Sequence, residues 1–150
     1  MKKQVRKKEI KEYNDLIETK YGLKELIDKK AKVEIEEGKF IYIDQELLFF
    51  FGELGICPTL KQLLKNNILP KVSIDMPAVP YMIKGADVMR PGIKTLENFK
   101  KDDYVAIVDE THKKPLAIAI ALFSSDEIKN LEKGKVLKNI HFIGDDIWKK

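Results

Sequence analysis

Two histidines, one cysteine and a scatter of aspartates are the side chains in this 150-residue chain that could do nucleophilic, acid–base or metal chemistry. His112 stands beside Lys113 and Lys114, a polar run that reads as a solvated hairpin tip. His141 sits in an alternating stretch beside Phe142. That placement suits a structural or ligand-facing imidazole better than a general base. Cys57 precedes Pro58 between apolar stretches, where a thiol behaves as a small core residue. A single cysteine excludes an internal disulfide framework or a cysteine-based metal site, and it fits a reducing, cytoplasmic setting. No Ser/His/Asp spacing, phosphate-loop pattern or paired-His motif occurs. No catalytic residue, metal or cofactor is therefore expected.

The stretch from Lys84 to Ile93 offers different chemistry. Gly85 permits a positive φ or a close backbone approach. Arg90 precedes Pro91 and is biased toward an extended conformation. Pro91-Gly92 suits the central positions of a type II turn. The segment thus reads as a strand between two tight turns, flanked by Lys84 and Arg90. A glycine turn with exposed N–H groups and flanking cations can hold phosphate. A plain turn–strand–turn explains the same residues, and the segment alone does not choose.

The surrounding elements follow from periodicity. Residues 2–11 carry six basic side chains and one acid. Ile10, Tyr13, Ile17 and Tyr21 then recur at spacings of three and four, which predicts an amphipathic helix with a basic, solvated start and Gly22 as its stop. Leu23 to Ile27 is read as a short second helix. Val33 and Ile35 alternate with charges, Glu37-Gly38 signals a hairpin, and residues 40–43 return. Asp44-Gln45 turns into a third strand, Leu47 to Phe51. Gly52, Gly55 and Pro58 punctuate, and Pro58 opens a helix over Thr59 to Lys65 with Leu60, Leu63 and Leu64 on one face.

Asn66-Asn67 and Pro70 mark a boundary too short for a flexible tether, so two closely packed subdomains are expected, 1–68 and 69–150. The second reads as strands at Val72–Ile74, Tyr104–Val108, Leu116–Phe123 and Val136–Ile143. Short helices fall at Ala78–Ile83 and after Ser124, where Glu127 completes a capping box. Large residues at 116, 118, 120 and 122 alternate with alanines at 117, 119 and 121, a pattern suited to a tightly curved sheet. The fold class is α+β: an N-terminal α/β subdomain with a small antiparallel sheet, then a pseudo-barrel of mostly antiparallel strands with short helices.

Bulk composition permits a polyanionic partner without arguing for one. The net charge is +4, shared equally between the two subdomains, so a binding site must come from local placement of cations. The longest apolar run, Leu116 to Phe123, has strand length. No signal peptide, membrane span or membrane partner is expected.

Ile74-Asp75-Met76-Pro77-Ala78-Val79-Pro80-Tyr81 with Gly85 to Ile93 resembles the signature of the PUA domain, the RNA-binding module of pseudouridine synthases and archaeosine transglycosylases. The stretches 103–110, 115–128 and 134–148 follow in the matching order. Residues 46–70 resemble the region that precedes the PUA domain in the family of the malignant T-cell amplified protein and the ligatin-type translation factor. The chain thus resembles an archaeal-type stand-alone member. The resemblance implies binding of structured RNA, tRNA or small-subunit ribosomal RNA, in translation initiation or ribosome recycling. It implies the small ribosomal subunit and an initiation-factor-like protein as partners. The alternative is an accessory RNA-binding module for an RNA-modifying enzyme on another chain. In such enzymes the catalytic chemistry lies in a separate large domain, so Asp75, Asp87 and Asp109 are not read as catalytic.

The resemblance also implies where RNA would lie: on the short helix, the glycine loop, the following strand and the last strand. The residues at those positions are Tyr81, Lys84, Gly85, Ala86, Asp87, Met89, Arg90, Pro91, Gly92, Lys94, Lys138 and His141. Lys84, Arg90, Lys94 and Lys138 are phosphate-contact candidates, and Gly85 and Ala86 offer backbone. Met89 reads either as core or as a surface beneath a base or ribose.

Overall fold

The computed structural model describes residues 1–150. The chain divides into two compact units, Met1–Gln62 and Leu63–Lys150.

The first unit is a five-stranded antiparallel meander with one long helix. Its strands are β1 (Lys2–Gln4), β2 (Val33–Glu36), β3 (Phe40–Ile43), β4 (Glu46–Gly52) and β5 (Gly55–Pro58), hydrogen-bonded in that order. Glu37 and Gly38 both take positive φ, as do Asp44 and Gln45. Those are the torsions that let a short hairpin loop match the strand twist. Helix α1 (Lys7–Tyr21) buries Ile10, Tyr13 and Ile17, three of the four residues its period selects, and leaves Tyr21 half-buried. Gly22 ends it at φ 74°, its N–H bonded to the Glu18 carbonyl.

Several local expectations for the stretch up to Lys65 need correction. The basic start is not helical: Lys2–Gln4 pair with Glu34–Glu36 as β1, with the Lys2 ammonium 3.9 Å from the Tyr42 ring centroid. Helix α1 begins only after Arg6, whose N–H donates to the Glu9 carboxylate. Leu23 to Ile27 forms no helix. So short a segment cannot offset the cost of nucleation, and the Asn14 side chain instead takes both the N–H and the carbonyl of Ile27. Gly52 and Gly55 do not merely punctuate: they face each other across a hairpin, making β5 an edge strand. Pro58 closes that strand, as proline can at an edge. Thr59 then starts α2 (Leu60–Lys65) by accepting from the Gln62 N–H. Leu60 and Leu63 are buried on α2, but Leu64 is exposed.

The second unit is a mixed six-stranded sheet. Its strands are β6 (Lys71–Ile74), β7 (Val88–Met89), β8 (Ile93–Leu96), β9 (Tyr104–Asp109), β10 (Pro115–Ala121) and β11 (Lys135–Phe142). The order is β7-β11-β10-β9-β6-β8. Only β6 and β9 run parallel; the other pairs are antiparallel. Ala117, Ala119 and Ala121 join Val72, Ile74, Val105, Ile107 and Leu137 in one core cluster. Small side chains there let curved strands close on the interior. Ser124 and Glu127 cap α4 (Ser125–Lys129) reciprocally. Asp145 caps α5 (Asp146–Lys149) by accepting from the Trp148 N–H.

The expected type II turn at Pro91-Gly92 is absent. Residues Arg90–Gly92 make a 3-10 turn in which the Ile93 N–H bonds to the Arg90 carbonyl. A type II turn needs positive φ at its third residue, and Gly92 is not among the glycines that have it. The turn delivers the chain into β8, a strand that periodicity did not reveal.

Candidate nucleic-acid interface

Asp75 begins the site. Its carboxylate accepts from the Ala78 N–H and starts a 3-10 turn, Met76–Ala78, that runs into α3 (Val79–Met82). The chain then turns through Ile83, Lys84 and Gly85. Within this turn the N–H groups of Lys84 and Ala86 bond to the Tyr81 carbonyl, and that of Gly85 bonds to the Met82 carbonyl. Gly85 takes φ 89°, and a Cβ there would stand 2.9 Å from Cε1 of Phe142. Glycine is thus required twice, by torsion and by the ring on β11.

The surface around the turn is both apolar and cationic. Met76, Tyr81, Ile83 and Met89 are four of the chain's seven exposed large hydrophobic side chains, and Lys84 is exposed among them. Tyr81 and Ile83 share one short segment with Lys84, so exposed apolar side chains and a cation are presented together by the turn. Tyr81 is 63% exposed and Met89 50%. Met89 is therefore a surface residue, and the core alternative for it falls.

Other candidates have fixed structural duties. Asp87 accepts from the Asn139 backbone N–H at 2.9 Å, and its other oxygen lies 3.4 Å from the Lys135 ammonium. Arg90 is half-buried, its Nε donating to the Ile128 carbonyl at 2.8 Å and its N–H to Gly134. Pro91 is exposed, whereas Ala86 and Gly92 are half-buried. Lys94 is exposed on β8, which pairs with β6 and not with β11. Lys138 is exposed. Sequence reasoning placed His141 on the contact surface, but it is completely buried. Its Nδ1 meets the Asp145 carboxylate at 2.9 Å, so it holds the end of β11 and presents nothing to a ligand.

Asp145 gathers several donors. Burial pushes its carboxyl pKa up, but bonds from His141 and from the Trp148 and Phe142 N–H groups, together with the His141 charge, outweigh burial and hold it below the ordinary value. Cys57 is fully buried, and that burial pushes its thiol well above the usual range. No cluster of three or more His, Cys, Asp or Glu side chains is placed to hold a metal.

Sequence reasoning missed Asn139. Its side-chain amide donates to the carbonyls of Met82 and Ala86 at 3.2 and 3.1 Å. Only its place in the last strand hinted at a role, and nothing local distinguished it from a surface asparagine.

A glycine turn on a small mixed barrel, presenting a cation and exposed apolar side chains, defines a PUA-type module. The PUA domain model matches residues 70–143, and a domain of unknown function, DUF1947, matches residues 2–66. An uncharacterised protein of Methanocaldococcus jannaschii is 42% identical, over 95% of this chain and 91% of its own length. Translation machinery-associated protein 20 of Schizosaccharomyces pombe is 30% identical over 87% of this chain and 78% of its own. Malignant T-cell-amplified sequence 2 of Homo sapiens is 32% identical over 84% and 75%. The chain belongs to this family. The crystal structure of a hypothetical protein from Pyrococcus horikoshii superposes with a TM-score of 0.82 at 31% identity, covering 99% of this chain and 98% of that one. The structure of an H/ACA RNP bound to a substrate RNA matches in part, with a TM-score of 0.51 at 30% identity, over 63% of this chain and 29% of that one.

Proposed function

We propose that this protein is a non-enzymatic RNA-binding factor of the translation machinery. On this reading it acts in the cytoplasm on structured RNA, tRNA or small-subunit ribosomal RNA, in initiation or ribosome recycling. One observation carries the reading: within the PUA domain, a tight turn that only glycine fits displays exposed Lys84 and Tyr81, with exposed Met89 on the strand that follows. Cations at a backbone turn suit phosphate, and exposed aromatic and thioether surfaces suit an unstacked base. The name of the fungal relative favours translation over RNA modification as the setting. The small ribosomal subunit and an initiation-factor-like protein are the partners this reading includes. The interface it uses comprises Tyr81, Lys84 to Ala86, Met89, Pro91, Gly92, Lys94 and Lys138, with Asp87 and Arg90 bracing the chain between them.

The test is a titration of folded tRNA transcript, and separately of a small-subunit rRNA fragment, at two salt concentrations. Each phosphate neutralised should steepen the dependence of log affinity on log salt by about 0.7–0.9. Lys84→Glu should weaken binding about tenfold or more and leave the fold intact. Absence of binding at low salt, or affinity unmoved by Lys84→Glu, would overturn the proposal. Crosslinking in cells followed by sequencing of the attached RNA then separates tRNA from ribosomal RNA. The partial likeness to an H/ACA particle supports one other reading, an accessory module for a modifying enzyme on another chain. Recovery of such an enzyme instead of ribosomal subunits in a pulldown would favour it.

A further inference from the structure

We infer that Asn139 is the positioning residue of the RNA-contacting turn, an inference that rests on the RNA-binding reading above. The ladder between β7 and β11 ends at Val88 opposite Leu137. Beyond it no strand pairing holds the chain from Met82 to Asp87 against β11. Asn139 takes over with three bonds. Its side-chain amide donates to the Met82 and Ala86 carbonyls, and its backbone N–H donates to Asp87. The two carbonyls bracket Ile83, Lys84 and Gly85. One side chain therefore fixes both ends of the turn that displays the cation, while Phe142, three residues on, fills the space against Gly85.

The choice of asparagine is specific. An uncharged amide has two N–H donors on one nitrogen and can bridge two carbonyls. A carboxylate would set oxygen against oxygen. The amide oxygen of Asn139 is itself buried and finds no partner among protein groups. A buried acceptor left unpaired opposes folding, and such a group in a native structure calls for an explanation. Exchanging nitrogen and oxygen would lose both carbonyl bonds, so the orphan oxygen follows from using the nitrogen. Holding the turn in one shape is what this residue achieves against that cost. Lys135, opposite Met89 in the ladder, braces Asp87 from the same strand.

The experiment uses the full chain and one folded tRNA transcript. Affinity is measured against salt for the wild type, Asn139→Ala, Lys84→Ala and the double variant, with denaturation curves to select a temperature at which every variant is folded. The expected result is a five- to tenfold weaker affinity for Asn139→Ala, with its salt slope reduced by the same amount as in Lys84→Ala. The double variant should then be no weaker than either single one. A merely structural asparagine would lower the denaturation midpoint and leave the salt slope of the folded protein unchanged; that outcome overturns the inference, as does full additivity with Lys84→Ala. If Asn139→Ala does not fold, Asn139→Ser keeps one donor and should give an intermediate affinity and slope. A Ser variant that binds as the wild type does overturns the inference. A wild type that fails to bind at low salt overturns the RNA reading itself, a result distinct from a wild type that binds and an Asn139 variant that binds equally well.

Discussion

Gly85 and Phe142 meet so closely that a single methyl group on the glycine would stand 2.9 Å from the ring edge. The glycine also sits at φ 89°, where a side chain is strained whatever the space. Gly85→Ala should therefore destabilise the protein by about 1–3 kcal/mol, read by denaturant unfolding. Replacing Phe142 with leucine in the Gly85→Ala background removes the contact but leaves the torsion. The two changes together should cost less than the sum of the singles, and strict additivity would contradict the steric part of the account.

The pair of His141 and Asp145 predicts an acid limb in stability. The folded-state pKa of Asp145 is depressed below the ordinary 3.8. Its contribution is thus fully present above the unfolded value and is lost as pH falls through the folded one. Wild-type stability should fall below about pH 4. Asp145→Asn should be less stable than the wild type at pH 7, with the gap between them narrowing toward pH 3. Urea unfolding at pH 7, 5, 4 and 3 measures this; a gap that stays constant over that range rules the carboxylate out as the source.

Ser124 caps α4 through a reciprocal pair with Glu127. Ser124→Ala should cost about 1 kcal/mol of stability. It should leave RNA affinity at the wild-type value at any temperature where the variant is folded. A change in affinity without a change in stability would mean that this end of the barrel takes part in binding.

Tyr81 is 63% exposed, so Tyr81→Ala should change stability by no more than about 0.5 kcal/mol. If an unpaired base stacks on the ring, the same variant should lose about 1–3 kcal/mol of RNA binding. Salt dependence should be unchanged, because no phosphate contact is removed. Denaturant unfolding reads the stability and the tRNA titration reads affinity and salt dependence; an unaltered affinity would remove Tyr81 from the interface.

Cys57 is completely buried, and burial raises its thiol pKa. Only the thiolate reacts readily. A thiol reagent at pH 8 should leave the native protein unlabelled and label it one-to-one in denaturant. Rapid labelling of the native protein would show that this strand opens.

Local sequence determined much of this protein, because helix and strand periods and turn torsions depend on residues within a few positions of one another. Ile10, Tyr13 and Ile17 specified the buried face of α1, Glu37-Gly38 and Asp44-Gln45 their hairpins, and Ser124 with Glu127 the start of α4. The ordered motifs from Ile74 onward specified the PUA fold and placed the glycine turn. Tertiary structure alone decided the rest. Strands β1, β5 and β8 exist because an edge was available to pair with, and short segments of ordinary composition carry no sign of that. His141 and Lys138 belong to the same strand, yet one is buried against Asp145 and the other is exposed. Asn139 reaches its partners across 52 to 57 residues. A hydrogen bond spanning that distance is set by how two strands meet in space, and so the residue that holds the turn could not be read from the turn's own sequence.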